Sequence, residues 1–364
     1  MTKRSAAFSL ALFLIFDFFF GLTVLRKLEV PGAFKSYNLR VHHPFFHHGL
    51  TPNYNGFDEW GVPYRYCTDS RGFRSSCSDS LAKQRSFDFA LMGDSMIEGL
   101  GVDYDLTIPG ILGSRLNKST LNFSVSSYSP SIHLAKYQYF LQSDHKFRNI
   151  LIFLDISDLE DEYKHYTTLT SGQVVNSNGT SPEVSGSAAI KNYLKQVFPI
   201  LASGISGIKT MWKSARAGKQ VAPSGLEHDR KSARAGWTYL TKDDSDLAAS
   251  VRSGLIKIEG AIKEISSIAS REQSNVYVIL YPWPHQIAFD PRPLEFERWA
   301  KQTLESKNTT VINLFPLFEK ELKRYGTEAV IEKYYIRGDT HFNAAGHALI
   351  ADYLTGYFSN KLED

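Results

Sequence analysis

The sequence has few cysteines and almost no net charge. Only two of its 364 residues are cysteine, Cys67 and Cys77, and neither has an acid–base partner nearby in the sequence, which argues against a catalytic thiol. The 41 basic and 38 acidic side chains leave a net charge of +3, too balanced to favour nucleic acid as a partner, and no nucleic-acid-binding motif is present. Hydrophobic residues make up 43% of the chain, so it is long and apolar enough to bury a full core.

One long apolar run stands at the N-terminus. It covers residues 6–25, follows Lys3 and Arg4, and contains a single charged residue, Asp17. About 20 apolar residues are enough to span a bilayer as a helix. Because no clear cleavage site follows, residues 1–27 are predicted to be a signal anchor rather than a removed signal peptide. We expect the remainder to lie on the periplasmic or extracellular side, or to be secreted if cleavage occurs; a buried helix of a cytosolic protein is the alternative.

The stretch with the clearest chemistry is a buried strand that ends in a serine. Residues 87–92 are almost all apolar, and Gly93-Asp94-Ser95 follows them at the end of the strand, where open α/β sheets carry their chemistry. A serine hydroxyl is a poor nucleophile until a base takes its proton. Asp339 and His341 stand close together near the C-terminus, ahead of a helical pattern. We therefore predict Ser95 as nucleophile, His341 as general base and Asp339 as the residue that orients the histidine.

These two motifs together resemble the SGNH, or GDSL-like, hydrolase superfamily. The resemblance covers roughly residues 85–360 and implies an α/β fold of three α/β/α layers, with the same roles for Ser95, His341 and Asp339. Alternating strand and helix patterns also favour a parallel, doubly wound sheet. The family's common terminal spacing is Asp-x-x-His, whereas this chain has Asp339-x-His341, a shorter form associated with members that act on polysaccharide acyl groups.

The resemblance also divides the chain. Residues 85–163 and 237–364 form the hydrolase-like domain, residues 28–84 an N-terminal arm, and residues 164–236 an insertion. Apolar residues at helical spacing over 190–212 make the insertion a candidate lid over the site or a helix on a membrane surface. An amphipathic helix packed on the domain is the alternative.

The oxyanion hole is expected to depart from the family pattern. The resemblance implies a first donor in the Ser95 N–H and further donors after the next two strands. After the first of these strands the chain has serines where the family usually has glycines. We predict that either Ser126 or Ser127, with Ser127 preferred, supplies a backbone N–H there. After the second of these strands Ser157 stands where the family has an asparagine, so the Ser157 hydroxyl is the predicted third donor.

A late strand over 275–281 ends in an aromatic segment. If the sheet is parallel, Trp283 lies at the same edge as Ser95 and is predicted to line the substrate cleft. His285 is a rival for the base, but His341 is preferred because an acid stands beside it.

The arm carries the remaining motifs. Four histidines lie within seven positions, but no carboxylate or thiol accompanies them at zinc-site spacing, so we expect neither a metal nor a cofactor. They are His42, His43, His47 and His48. Cys67 and Cys77 flank a glycine-containing bend, and an export signal favours a disulfide between them over two free thiols.

The predicted function is a serine esterase that removes acyl groups, most simply O-acetyl groups, from a cell-envelope or secreted polysaccharide. An O-acetyltransferase would use the same residues with a sugar hydroxyl in place of water. A non-catalytic glycan-binding or scaffold protein is the alternative from another class, favoured by the altered oxyanion blocks.

Overall fold

The computed structural model describes residues 3–20, 39–60, 62–78, 84–179, 198, 200–201, 245–289 and 294–362. The strands within these ranges are β1 (Arg40–His43), β2 (His47–Leu50), β3 (Asn55–Trp60), β4 (Val62–Thr68), β5 (Arg74–Ser75), β6 (Ser86–Met92), β7 (Thr120–Asn122), β8 (Lys146–Leu154), β9 (Tyr166–Thr168), β10 (Val174–Asn176), β11 (Asn275–Leu280) and β12 (Thr309–Asn313).

The helices are α1 (Lys3–Phe19), α2 (Ser95–Glu98), α3 (Ile108–Leu116), α4 (Pro130–Leu141), α5 (Ser157–Glu160), α6 (Ser245–Arg271), α7 (Pro284–Phe289), α8 (Leu294–Leu304), α9 (Phe315–Tyr325), α10 (Thr327–Tyr334) and α11 (Ala344–Leu362). A 3₁₀ turn covers Tyr104–Leu106, and a π-helical turn covers Asp161–His165.

An eight-stranded mixed sheet organises the chain, in the order β12-β11-β8-β6-β7-β5-β4-β3. The first five strands of this order are parallel, as the strand–helix alternation predicts. The last three are antiparallel and come from the N-terminal arm. The prediction of an entirely parallel sheet is therefore wrong at this edge. The chain between β3 and β4 is too short for a crossover helix, so these strands pair only as an antiparallel hairpin.

Strand β6 lies inside the sheet and brings the serine motif to the edge. It pairs with β8 on one side and β7 on the other, and its last four residues, 89–92, are fully buried. The ring of Phe89 lies 5.1 Å from that of Phe358 on α11, which packs against α3. Each buried side chain of this size contributes about 1.5–3 kcal/mol. The position of β6 is thus fixed by the core before any polar contact is considered.

The N-terminal helix α1 occupies most of the predicted membrane span. Among the described helices, none combines the length and the apolar character that crossing a bilayer requires. The span predicted for residues 6–25 is therefore not found in this part of the chain, and residues 21–25 lie outside the described residues. Asp17 is buried, and its carboxylate accepts the backbone N–H groups of Ile200 at 2.8 Å and Leu201 at 2.9 Å.

Cys67, at the end of β4, and Cys77 form a disulfide with a Cα–Cα distance of 5.1 Å. In the predicted insertion, β9 and β10 make an antiparallel hairpin. The helix predicted over 190–212, and with it the lid, lies outside the described residues apart from positions 198, 200 and 201.

Candidate active site

The turn that follows β6 presents Ser95 at the edge of the sheet. Gly93 permits this turn, because a Cβ atom there would lie 2.6 Å from Cγ1 of Ile97. Asp94 caps the short helix α2, its carboxylate accepting the Met96 N–H at 2.9 Å. Ser95 is the first residue of α2, so its own N–H has no acceptor within the helix. The turn therefore presents both the Ser95 hydroxyl and the Ser95 N–H, which has no acceptor among the described residues.

The loop between α10 and α11 supplies the histidine. Nε2 of His341 lies 2.8 Å from Oγ of Ser95, and Nδ1 lies 2.5 Å from Oδ1 of Asp339. The same carboxylate oxygen accepts the His341 backbone N–H at 3.0 Å. The short Asp-x-His spacing thus lets one oxygen bind both the backbone and the ring of the histidine. The structure brings together all three residues predicted for the triad.

The negative charge on Asp339 determines which ring nitrogen of His341 carries the proton. Burial would raise the pKa of the Asp339 carboxyl, but hydrogen bonds from His341 and Trp60 outweigh burial and lower the pKa to about 2. An ionised Asp339 accepts a proton-bearing Nδ1, which leaves the lone pair of Nε2 directed at the Ser95 hydroxyl. This is the arrangement that a general base requires.

Trp60 is a member of the site that sequence reasoning missed. Its Nε1–H donates to Oδ2 of Asp339 at 3.0 Å, and its ring lies edge-on to His341 with centroids 5.0 Å apart. Trp60 comes from the end of β3 in the arm, 279 positions away from Asp339. No local pattern links the two residues. The one available signal is a tryptophan at the end of a strand in an aromatic-rich segment.

The Ser126–Ser127 segment lies across the cleft from the histidine loop. The Ser126 N–H donates to Oε2 of Glu98 at 2.5 Å, so it is already used. Among the described residues the Ser127 N–H has no hydrogen-bond partner. Ser127 has a φ of +63°, the left-handed conformation that favours glycine. Serine therefore adopts here a backbone conformation that glycine reaches more readily.

Two residues predicted for the cleft, Ser157 and Trp283, lie elsewhere, and so does the rival base His285. The Ser157 hydroxyl and N–H both donate to Oδ1 of Asp155 at 2.7 Å, and Ser157 does not line the cleft. Asp155 competes for this hydroxyl because it lies two residues earlier in the same turn. Trp283 is buried, and its Nε1 donates to the other oxygen of Asp155 at 2.8 Å. His285 is fully buried beside Trp283, and burial lowers its pKa to about 4. The structure supports neither the oxyanion role of Ser157 nor the cleft position of Trp283.

The cleft itself is a small, polar cavity of about 330 Å³. Apart from Trp60, its lining consists of hydroxyl, carboxylate, imidazole and glycine residues. The lining residues are Trp60, Asp94, Ser95, Ser126, Ser127, Gly338, Asp339, Thr340 and His341. A cavity of this size accepts a short acyl group together with part of a polar leaving group.

The arm histidines do not form a metal site in the described part of the chain, where no group of three or more histidine, cysteine, aspartate or glutamate side chains could hold an ion. They are hydrogen-bonded to one another and to the backbone. Nδ1 of His47 lies 2.7 Å from Nδ1 of His48, and Nε2 of His48 lies 2.9 Å from the Ser126 carbonyl oxygen.

No protein-family model and no curated protein matches the sequence. Solved structures do. One, from Desulfitobacterium hafniense DCB-2, is described as lipolytic and of the G-D-S-L family; it shares 12% identity over 74% of this chain and 98% of its own, with a TM-score of 0.38.

Two further structures show a similar degree of likeness. A catalytic mutant of an acetylxylan esterase from Geobacillus stearothermophilus shares 10% identity over 74% of this chain and 92% of its own, with a TM-score of 0.40. An alpha/beta hydrolase enzyme from the metagenome of Lake Arreo shares 10% identity over 75% of this chain and 95% of its own, with a TM-score of 0.37. The chain is thus similar to hydrolytic enzymes, and its function is inferred from the geometry of the Ser95 site.

Proposed function

We propose that this protein is a serine esterase that removes short acyl groups, chiefly O-acetyl groups, from a polysaccharide outside the cytoplasm. The observation that carries the proposal is the position of His341, whose two ring nitrogens lie 2.8 Å from the Ser95 hydroxyl and 2.5 Å from the Asp339 carboxylate. This continuous hydrogen-bonded chain is what activation of a serine nucleophile needs.

The reaction proceeds in two halves. Ser95 Oγ attacks the ester carbonyl while His341 Nε2 takes its proton, and His341 returns that proton to the departing sugar oxygen. The acyl group is then bound to Ser95 as an ester. Water attacks this ester, His341 accepts a water proton, and the Ser95 oxygen leaves and regains the proton. The products are the free sugar hydroxyl and the carboxylic acid.

The Ser95 and Ser127 N–H groups are the donors proposed for the oxyanion. Both belong to residues that line the cleft, and neither has an acceptor among the described residues. Removal of one such donor costs an enzyme about 3–4 kcal/mol of transition-state stabilisation. A pair of backbone donors is sufficient for this role, so the displaced Ser157 hydroxyl is not needed.

The character of the cleft supports a small acyl group on a sugar. Among the described residues its lining is polar and offers no long apolar channel for a fatty acid, and the one large ring among them, Trp60, is only partly buried. Aromatic rings are suited to contact with the apolar face of a sugar while polar neighbours orient its hydroxyls. An acetylated polysaccharide combines both requirements.

The location outside the cytoplasm is supported by the disulfide between Cys67 and Cys77, since such bonds persist in oxidising compartments.

Attachment to a membrane through α1 is also proposed, because this helix exposes several large apolar side chains to solvent. These include Phe8, Leu10, Leu12, Ile15 and Phe16. Flotation of the full chain with anionic lipid vesicles tests this attachment, and a protein that stays at the bottom of the gradient argues against it.

The catalytic proposal is tested with the full chain and p-nitrophenyl acetate. Ser95→Ala and His341→Gln should lose most of the turnover, on the order of 10⁴-fold or more. His285→Gln is the matched control, because it removes a histidine that lies outside the cleft, and it should retain activity. A fluorophosphonate should add one adduct to the wild-type mass and none to Ser95→Ala.

Equal rates in the wild type and in Ser95→Ala, with all proteins folded by circular dichroism, would overturn the esterase proposal. Acetate release from acetylated xylan then tests the polysaccharide class. Transfer of the acetyl group to an added sugar, with little free acetate, would instead identify a transferase.

A further inference from the structure

One arm histidine, His48, contacts the backbone of the Ser126–Ser127 segment from outside the cleft. His48 donates through Nε2 to the Ser126 carbonyl oxygen at 2.9 Å, and that oxygen belongs to the peptide unit whose N–H is that of Ser127. A trans peptide is planar, so its carbonyl and its N–H point in opposite directions. His48 does not line the cleft. Holding the carbonyl on the side of His48 therefore turns the Ser127 N–H toward the cleft.

Two further contacts fix the same segment. Glu98, which is fully buried, accepts the Ser126 N–H through Oε2, while its Oε1 accepts Arg40 at 2.7 Å and Tyr66 at 2.6 Å. The Ser127 carbonyl accepts the Tyr166 hydroxyl at 2.6 Å. The carbonyl and N–H groups around the left-handed Ser127 are thus occupied, except for the Ser127 N–H itself.

The protonation state of His48 is compatible with this role. Burial lowers the pKa of His48 to about 3, so its ring is neutral at ordinary pH. A neutral ring that donates from Nε2 has a lone pair on Nδ1.

We propose that His48 is a positioning residue for the oxyanion hole: by binding the Ser126 carbonyl it directs the Ser127 N–H at the developing oxyanion, with Glu98 anchoring the preceding N–H. The inference rests on the proposed esterase function and gives a role to one histidine of the arm. His48 touches no reacting atom and acts through the peptide that it holds.

Two amide substitutions separate this role from simple packing. In His48→Gln the side-chain nitrogen falls close to the position of Nε2 and can still reach the Ser126 oxygen. In His48→Asn the side-chain nitrogen falls near the position of Nδ1, and the side chain is too short to reach the Ser126 oxygen. Both variants keep a polar amide in the same enclosed place. We expect kcat for p-nitrophenyl acetate to stay within about 3-fold in His48→Gln and to fall about 10- to 100-fold in His48→Asn, with KM nearly unchanged, as loss of part of an oxyanion donor predicts.

A second measurement reports on the oxyanion directly. A trifluoromethyl ketone forms a tetrahedral adduct with an activated serine, and its inhibition constant should weaken in His48→Asn by the same factor as kcat/KM. Equal kcat and equal inhibition constants in the two variants would overturn the positioning role. If the amide variants do not fold, His48→Phe keeps a ring but removes the Nε2 donor to the Ser126 carbonyl oxygen. It should lower kcat and inhibitor affinity together, and wild-type values would overturn the inference.

The two proposals fail in distinguishable ways. Absence of Ser95-dependent turnover in the wild type defeats the esterase function. Wild-type turnover combined with identical His48→Gln and His48→Asn kinetics defeats only the role of His48.

Discussion

Acidification should weaken the fold through histidines that are buried without charge. Burial lowers the pKa of His133 and of His347 to about 3, and neither side chain is more than 1% exposed. In the unfolded chain a histidine titrates at about pH 6.5. Between these two values the unfolded state binds protons that the folded state does not, so the free energy of unfolding falls as the pH falls.

The expected size of the effect follows from the same linkage. For each such histidine, moving from pH 7 to pH 5 should lower the free energy of unfolding by about 2 kcal/mol, because only the unfolded state gains a proton. That is a large share of the roughly 5–15 kcal/mol typical of a folded domain. Asp158 acts in the opposite direction, since burial raises its pKa and the folded state keeps its proton longer. The informative comparison is therefore between a variant and the wild type.

The assay is urea unfolding followed by tryptophan fluorescence at pH 7 and pH 5. His133→Leu should show a pH-dependent loss of stability about 2 kcal/mol smaller than that of the wild type. His165, which is exposed, provides the control, and His165→Gln should show the wild-type loss. If His133→Leu loses as much stability as the wild type between the two pH values, His133 is not buried in its neutral form and the reasoning fails.

Three further predictions concern the site and its support. Trp60→Phe removes the N–H that binds Asp339 at 3.0 Å and should lower kcat/KM for p-nitrophenyl acetate about 3- to 10-fold. The loss is smaller than for a fully buried hydrogen bond to a charged group, because Asp339 is partly exposed. An unchanged kcat/KM would exclude a role for this bond. Ser127→Ala keeps the backbone donor and should retain kcat, whereas Ser127→Gly should raise stability by about 0.5–1 kcal/mol in urea unfolding by relieving the positive φ; a large loss of kcat in Ser127→Ala would show that the hydroxyl is needed. Replacing Cys67 and Cys77 by serine should cost about 3 kcal/mol for a loop of this length, measured by urea midpoint against the oxidised wild type, and equal midpoints would contradict this estimate.

The parts of the fold with strong local signals were predictable. The apolar stretch before Gly93 is β6, and the strand predicted over 275–281 is β11 at Asn275–Leu280. Each has an apolar pattern that ends at a boundary residue, Gly93 or Pro282. The arm strands were not predicted, because their pairing with the sheet is set by long-range contacts.

In the site, the motif residues were predictable and their neighbours were not. Ser95, Asp339 and His341 stand in short patterns whose chemistry can be read locally. Whether Ser157 faces the cleft depends on the competing carboxylate of Asp155, which takes both its N–H and its hydroxyl. The same carboxylate takes the Trp283 indole, so one buried acid displaces two predicted residues. A residue type at a motif position says what a side chain can do, and the neighbouring hydrogen bonds decide what it does.

The contact between Trp60 and Asp339 also bears on how the proposed active site forms. These residues are 279 positions apart, and His341 and Ser95 are 246 apart. Contacts between residues so far apart in the sequence form more slowly than the local contacts of a helix. In a chain still emerging from the ribosome, Ser95 is present before His341 has been added. Without that base the Ser95 hydroxyl is a poor nucleophile. The proposed esterase activity therefore requires that the segments carrying Ser95 and His341 have come together.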